Sequence, residues 1–361
     1  MRINRKSVAA MSLVVFSSTA VFAADGPATP TGPTLSDVLD TSGITVTGYV
    51  DGLFSYRSYS GSLNGTPDYN AFTVPQAAMT IAKQPSEGFG ALVNVIAGSA
   101  APSLPGGTGT SQGFDLLQAY AQYAGTGWTI IAGKFTTLAG AEVVAPVGNV
   151  NVSRSILFAY EPVTHTGIRA TFAVGDTLSL IAGVNNGWFY SNDPGNGDDK
   201  TLEVGFSFAP STAFTWAGAG YYGRDLNSSG VTTSHTLLDT VLTWNATSAL
   251  SVVGSIDWAK VDNAGAVGSP DATWNGVAAY LNFALSDTWR ASLRGEYFED
   301  KDGYLTGTAD NKLEEATLTF GYSPVKNFEL RLEGRYDTAD LPSPLQSPNT
   351  TSAYVEALYK F

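Results

Sequence analysis

The chain has 361 residues and no cysteine, which excludes a disulfide framework, a thiolate metal site and a catalytic thiol. Charged residues make up 14% of the chain, against roughly 25% in soluble domains. The mean hydropathy of +0.01 is too polar for a bundle of membrane helices. With 19 basic and 32 acidic residues the formal charge is −13, so the chain lacks the basic footprint that nucleic acid requires.

Residues 1–23 have the features of a secretory signal peptide. Three basic residues lie among the first six, Val8 to Phe16 is mostly apolar, and small residues precede a cleavage point after Ala23. Removing this segment takes away three of the 19 basic residues and none of the 32 acidic ones, which leaves a mature charge of −16. No later apolar run reaches the roughly 18 residues that indicate a membrane helix.

Residues 24–42, which begin with a stretch rich in Pro, Thr and Gly, are predicted to form a periplasmic linker. From residue 43 to residue 361, segments of about ten residues alternate polar and apolar side chains, as strands with two different faces do. Short and long connections between these segments alternate strictly. The short ones are 85–88, 125–127, 175–176, 210–212, 247–249, 286–288 and 324–327, and the long ones are 58–69, 99–112, 139–163, 188–199, 225–233, 262–272, 301–311 and 340–349. The count predicts about sixteen antiparallel strands.

The segment "FELRLEGRYD" (328–337) shows which face is inside. Every second residue from Glu329 to Asp337 is charged, and the others, from Phe328 to Tyr336, are uncharged. The uncharged row extends roughly 27 Å along a strand. At a tilt of about 40° it covers most of an apolar band of about 25 Å, with an aromatic residue near each end. A soluble sheet with one wet face explains the alternation but not the aromatic ends, the signal peptide and the asymmetric connections together.

Residues 43–361 are therefore predicted to form one closed, antiparallel transmembrane β-barrel of the all-β class. Short turns are periplasmic and long loops extracellular in bacterial outer-membrane barrels, whose strand number is even. The apolar face contacts lipid and the ionic face lines the interior. A sixteen-stranded barrel has room for an aqueous channel, whereas an eight-stranded barrel is filled by its own side chains.

Several stretches resemble the OmpL-like β-barrel porin family of Gram-negative outer membranes. They are "GYVDGLFSY" (48–56), "KQPSEGFGA" (83–91), "AGKFTTLAGAEV" (132–143), "NVSRSILFAYEPVTHTGIRATF" (151–172), "GVNNGW" (183–188), "RGEYFEDKDGYLTG" (294–307) and "LEGRYD" (332–337). The resemblance covers nearly the whole mature chain and implies a porin-like barrel whose cargo is poorly defined. The terminal "ALYKF" resembles the aromatic C-terminal signal of outer-membrane barrels, which implies that Tyr359 and Phe361 are recognised by the barrel assembly machinery.

The long connection 139–163 follows the fifth strand, the position from which a loop folds inward in the general porins that this chain resembles. It carries Glu142, Arg154 and Glu161 among many apolar residues that are unsuited to a water-exposed loop. We predict that it folds into the barrel and narrows the pore, with Glu142 and Glu161 facing arginines across the constriction. The alternative is an outer loop that contacts neighbouring protomers or lipopolysaccharide.

Alternation along strands thirteen and fifteen places six charged side chains on the inner face. These pore-lining candidates are Arg290, Arg294, Glu329, Arg331, Glu333 and Arg335. Such residues tune ion selectivity, or they pair across strands without a role in transport. Because the mature chain is acidic, a modest cation preference is expected.

No catalytic site, cofactor or resident metal is predicted. His165 and His235 are the only histidines and have no recognisable nucleophile beside them. The segment "EDKDG" (299–303) faintly echoes an EF-hand loop, but the glutamate that should follow is Ala309. The stretch is better explained as an acidic turn, with weak Ca²⁺ or Mg²⁺ bridging to lipopolysaccharide as the alternative.

The function predicted from these features is passive diffusion of small hydrophilic solutes or ions through an outer-membrane channel. A substrate-selective channel and a structural or adhesive barrel remain alternatives at this stage. Expected partners are outer-membrane lipid, lipopolysaccharide, the barrel assembly machinery and the diffusing solutes. A homotrimer is compatible with a barrel of this size, although no motif specifies one. The chain is expected to reach the outer membrane of a Gram-negative bacterium through the periplasm.

Overall fold

A computed structural model describes residue 39 and residues 41–60, 68–104, 113–188, 200–226, 232–264, 270–341 and 348–361. The proposed signal peptide and most of the proposed linker lie outside these ranges. Sixteen strands form the barrel wall. They are β1 (Thr45–Ser60), β2 in two segments (Tyr69–Thr73 and Ala77–Lys83), β3 (Gly88–Ala97), β4 (Phe114–Gly125), β5 (Trp128–Thr136), β6 (Thr164–Val174), β7 (Leu178–Asn185), β8 (Thr201–Ser211), β9 (Phe214–Leu226), β10 (Thr232–Asn245), β11 (Leu250–Asp262), β12 (Ala272–Ala284), β13 (Trp289–Asp300), β14 (Asn311–Val325), β15 (Phe328–Ala339) and β16 (Asn349–Lys360).

Each strand pairs antiparallel with its neighbours in sequence, and β1 pairs with β16 to close the sheet. The two backbone hydrogen bonds between Gly48 and Phe361 continue this seam to the last residue. The predicted closed barrel of about sixteen strands is confirmed. The first strand continues to Ser60, inside the predicted loop 58–69, because its pairing with β16 extends to Asn349.

The seven short turns lie at one end of the barrel and the eight longer loops at the other. The predicted alternation of short and long connections is therefore present. An even number of strands also brings both ends of the barrel domain, Thr45 and Phe361, to the end that carries the short turns. In the described part of the chain, no helix has the length and apolar character needed to span a membrane.

Side-chain burial is inverted relative to that of a water-soluble protein. On β15, Leu332 is 57% exposed and Tyr336 is 48% exposed, whereas Arg331 is 3% and Glu333 is 1% exposed. The same inversion holds around the barrel, where the exposed side chains of the outer face include many large apolar and aromatic residues. A closed sheet with an apolar outer face leaves no unpaired strand edge in lipid, which is the condition for a stable transmembrane strand.

The second strand is interrupted at residues 74–76, where Pro75 has no N–H to give to a neighbouring strand. At this break Gln76 enters the barrel. Its backbone carbonyl accepts the N–H of Asp51 at 2.9 Å, and its side-chain carbonyl accepts the hydroxyl of Tyr49 at 2.7 Å. The break therefore places an amide side chain inside the barrel wall, beside the functional site described below.

Candidate functional site

The connection between β5 and β6, residues 137–163, folds into the barrel interior; we call it the inner loop. Asn149 shapes its first half by accepting the N–H of Val143 at 2.9 Å and donating to the carbonyls of Val143 and Ala145. The second half contains one short helix, α1 (Ile156–Tyr160). The Ser155 hydroxyl caps α1 by accepting a hydrogen bond from the Phe158 N–H at 3.0 Å.

A glutamate on β15 holds the middle of the inner loop. The Glu333 carboxylate accepts the backbone N–H groups of Val152 at 2.6 Å and Ser153 at 2.8 Å. It also accepts the Thr319 hydroxyl at 2.7 Å, and Thr319 in turn accepts the Asn151 amide at 2.7 Å. Because Glu333 is 1% exposed, these charge-assisted bonds form away from bulk water and fix this part of the loop on the wall.

Arg294 on β13 is fully buried and links its own strand and β14 to the inner loop. Its guanidinium lies 2.7 Å from Glu142 of the loop, 2.7 Å from Glu315 and 3.3 Å from Glu296. It also donates to the backbone carbonyl of Ser153 at 2.8 Å. Thr317 lies directly between Arg294 and Arg335 in the strand register.

The other predicted arginines also reach the inner loop. Arg290 donates to the carbonyl of Val150 at 2.7 Å, and Arg331 donates to that of Pro146 at 3.1 Å. Arg335 binds the carbonyl of Arg154. Glu329 lies between two of them, 2.6 Å from Arg290 and 2.7 Å from Arg331. All six predicted inner-face residues therefore share one cluster with the loop, in which arginines contact loop carbonyls and Glu333 contacts loop N–H groups.

Apolar packing attaches the inner loop to two further regions of the wall. Leu157 and Ala139 pack with Trp274, Tyr280 and Phe298 of β12 and β13. On the other side, loop residues pack against β1 to β4. This second cluster joins Val144, Phe158 and Val163 of the loop to Tyr49, Ala78, Ile96 and Leu117 of the wall. Val144, Leu157 and Phe158, three of the apolar residues that made an exposed outer loop implausible, are thus buried inside the barrel, whereas Val143 is 49% exposed.

Glu161 departs from the predicted arrangement, because it lies apart from the arginines. Its carboxylate is close to Asp239 on β10 and Asp257 on β11, and the three side chains are buried. Burial, reinforced by the charge of Asp239, raises the pKa of Glu161 to about 8. Arg154, at the middle of the loop, is held near Glu142 and Glu356, and burial lowers its pKa despite these carboxylates.

Three cavities lie along the inner loop. The first, of about 700 Å³, includes Lys326, Lys360 and Phe361 at the turn end of the barrel. The second, of about 670 Å³, includes Arg57 and Asp337 towards the loop end. The third, of about 300 Å³, shares Phe158 with the first cavity and shares Leu53, Val152, Arg154 and Ala159 with the second. The shared residues place the third cavity between the other two.

The two histidines and the acidic turn have local structural contacts. His165 is fully buried and stacks on Tyr221 at a centroid distance of 5.0 Å, and His235 stacks on Trp188 at 5.7 Å. In the segment 299–303, the Asp300 carboxylate accepts the N–H groups of Tyr304, Leu305 and Thr306. These contacts favour the interpretation of the segment as a turn closed by its own aspartate.

Comparison with known families identifies the barrel. The family described as "Putative beta-barrel porin-2, OmpL-like" matches residues 43–361, which is the whole of the predicted barrel domain. The chain belongs to this family. It is an outer-membrane β-barrel of the porin type, as the resemblance of its sequence motifs implied. No curated protein matches it by sequence.

Solved structures share the fold of this porin at low sequence identity. The anion-selective porin from Comamonas acidovorans has a TM-score of 0.64 at 10% identity, covering 88% of this chain and 99% of that one. Salmonella typhi OmpF in complex with daunomycin has a TM-score of 0.62 at 13% identity, covering 88% and 97%. A trimer form of OmpT from Vibrio cholerae has a TM-score of 0.60 at 10% identity, covering 88% and 99%.

Proposed function

We propose that this porin is a passive diffusion channel for small hydrophilic solutes and ions, and that solutes pass beside the inner loop along its three cavities. The observation that carries the proposal is the series of cavities with shared lining residues inside a closed barrel. The third cavity is lined by both charges, with Asp51 and Glu356 on the wall and Arg154 on the loop. Such a lining can hydrate and orient a polar solute.

The inner loop sets the width of this path in the proposal. It is attached by charged hydrogen bonds to β13–β15 and by apolar packing to β1–β4, so it divides the barrel interior into small cavities. A loop fixed at so many points narrows the channel without closing and opening in each passage. The proposed role of the six inner-face residues is therefore to hold the constriction as well as to set its electric field.

Ion selectivity follows from the charge that remains outside these internal pairs. The arginines of the inner face are matched by Glu142, Glu315, Glu329 and Glu356, so they add little net positive field. Because the mature chain carries a charge of −16, we propose a modest cation preference at low salt. Exposed fields are screened over about 8 Å at physiological ionic strength, so reversal potentials in KCl gradients should show less cation preference at higher salt.

The proposed path can be tested by modifying a cysteine introduced into it and measuring whether the channel is blocked. Since the chain has no cysteine, Ala159→Cys introduces a single thiol at a residue that is exposed and lines both the second and the third cavity. A bulky, cationic methanethiosulfonate reagent should reduce the single-channel conductance of this variant in a planar bilayer. The matched control is Ala309→Cys at an exposed residue of the 301–310 loop, where the same reagent should leave the conductance unchanged.

Two results would contradict the proposal. If the folded wild-type protein forms no conducting channels in bilayers, diffusion is not its function. If mass spectrometry shows complete modification at residue 159 while the conductance stays the same, solutes take a different path through the barrel.

The proposed partners follow from the same architecture. The exposed apolar belt contacts outer-membrane lipid, and the outer loops contact lipopolysaccharide. Export by a signal peptide of residues 1–23 delivers the chain through the periplasm to the barrel assembly machinery, which recognises Tyr359 and Phe361. We propose a homotrimer as the assembled state, supported by the trimer form of the structurally similar Vibrio cholerae OmpT. A channel of this kind needs no catalytic step or cofactor.

A further inference from the structure

Three carboxylates meet where the end of the inner loop touches the barrel wall. Glu161 lies just before β6, and Asp239 and Asp257 face each other across the pairing of β10 with β11. One oxygen from each of the three carboxylates can be chosen so that all lie within 4.8 Å of one another. The residues are only 3%, 6% and 1% exposed, respectively. Three acidic groups thus share one buried volume.

Within the described ranges, no lysine or arginine nitrogen lies within salt-bridge distance of these three carboxylates, in contrast to the arginine cluster nearby. The ionisable neighbours that act on Glu161 are Asp239, Asp257, Glu142 and Glu296, all of them acidic. Both carboxylate oxygens of Asp257 and one of Asp239 accept no hydrogen bond from an N–H or hydroxyl group of the described residues, and Asp257 instead faces the carboxyl groups of Glu161 and Asp239. A buried, charged carboxylate without a cation or a donor is strongly unfavourable, so the cluster is stable only with bound protons or with a bound cation.

The backbone of the inner loop leaves room for this cluster. Gly140 has a φ of +87°, and a Cβ at this position would lie 2.0 Å from a carboxylate oxygen of Glu161. The backbone of Gly140 also lies close to the Asp239 carboxylate. Both ends of the inner loop, at residues 140 and 161, therefore meet the same aspartate of the wall. Any group bound here would join the two ends of the loop to β10 and β11.

We propose that Glu161, Asp239 and Asp257 bind one divalent cation, Ca²⁺ in preference to Mg²⁺, which fastens the inner loop to the barrel wall. Three carboxylates supply up to six oxygens, and oxygen ligands are those that Ca²⁺ and Mg²⁺ prefer. Ca²⁺ accepts a site built wholly of protein oxygens, whereas Mg²⁺ dehydrates reluctantly and keeps several of its waters. A buried site that offers carboxylates from three residues therefore favours Ca²⁺.

Calorimetric titration of the purified, folded protein in detergent tests this site. The protein is first stripped with EDTA and then titrated with CaCl2 and, separately, with MgCl2. We expect one saturable Ca²⁺ site per chain and weaker binding of Mg²⁺. Loss of an outer-shell partner typically lowers metal affinity by about 10- to 100-fold, so Asp257→Asn, which removes a ligand, should weaken Ca²⁺ binding at least about tenfold.

Asp287→Asn is the matched control, because Asp287 is exposed in a turn at the other end of β13 from the loops. It should bind Ca²⁺ as the wild type does. Asp239→Asn and Glu161→Gln provide the same test if Asp257→Asn does not fold. The proposal is overturned if the wild type shows no saturable Ca²⁺ binding, or if folded variants of the three residues bind as tightly as the control. If the wild type does not bind Ca²⁺ and Asp257→Asn unfolds at a higher temperature than the wild type, the three carboxyl groups share protons instead of binding a cation.

Discussion

Replacing Arg294 with methionine should loosen the inner loop while leaving the barrel closed. Methionine keeps much of the side-chain volume but removes all five N–H donors of the guanidinium. Glu142, Glu296 and Glu315 then lose the cation that they now share, in a site where the arginine is 0% exposed. The strand pairing of β13 is made by the backbone and is unaffected, so the change acts mainly on the attachment of the loop.

Breaking a buried ion pair by removing one partner costs about 3–5 kcal/mol. The three carboxylates share one arginine, so we do not add a separate cost for each. At about 1.4 kcal/mol per factor of ten, the population of the detached state of the loop should rise by a factor of about 100 to 4,000. The bonds from Glu333 to Val152 and Ser153 remain, and they keep this detached state a minor one.

Limited trypsin digestion measures this population, because the inner loop contains a cleavage site after Arg154. When opening and closing are fast, the rate of cleavage follows the fraction of molecules that are open. In Arg294→Met, mass spectrometry should show that cleavage after Arg154 is about 100 to 4,000 times faster than in the wild type. Arg57→Met is the control, since Arg57 is exposed and donates to Tyr354 rather than to the loop. A folded Arg294→Met barrel cut at the wild-type rate would refute the reasoning.

Three further predictions concern topology, assembly and the lipid face. An impermeant thiol reagent should label Ala309→Cys but not Ser86→Cys in intact cells, because loops are external and turns periplasmic; the reverse would contradict the orientation. Deleting Phe361 removes its two hydrogen bonds to Gly48 at the closing seam, so less heat-modifiable folded protein should appear on gels, and an unchanged yield would exclude this role. Leu332→Arg places a charge on the outer face and should lower the free energy of unfolding in lipid vesicles by about 2–4 kcal/mol. Equal urea midpoints for the variant and the wild type would contradict this prediction.

The barrel could be predicted from the sequence because its pattern repeats at every strand. Alternation with a period of two places Arg331 and Glu333 on one face and Leu332 on the other, whatever the rest of the chain does. The lengths of the connections then give the orientation and the strand count. The inward turn of Arg290 and Arg294 follows from the same rule, and the structure places both of them inside the barrel with the loop.

The path of the inner loop could not be predicted in the same way. An irregular segment has no period, so the spacing between Glu142 and Glu161 does not show which part of the wall each residue meets. Glu142 reaches Arg294, whereas Glu161 reaches Asp239 and Asp257. The two aspartates did carry a signal, since each is an acidic residue at an inner-face position of a neighbouring strand. Their pairing across β10 and β11 becomes visible only when the strand register is known.

The attachment of the inner loop to β13–β15 also sets an order of events during assembly. Val152 and Pro146 bond to Glu333 and Arg331, residues about half the chain length further on. The loop is synthesised long before these partners, and contacts of such high sequence separation form late because closing a long segment costs entropy. The loop can dock only after the C-terminal strands have joined the sheet. Docking therefore stabilises complete barrels relative to partly assembled ones.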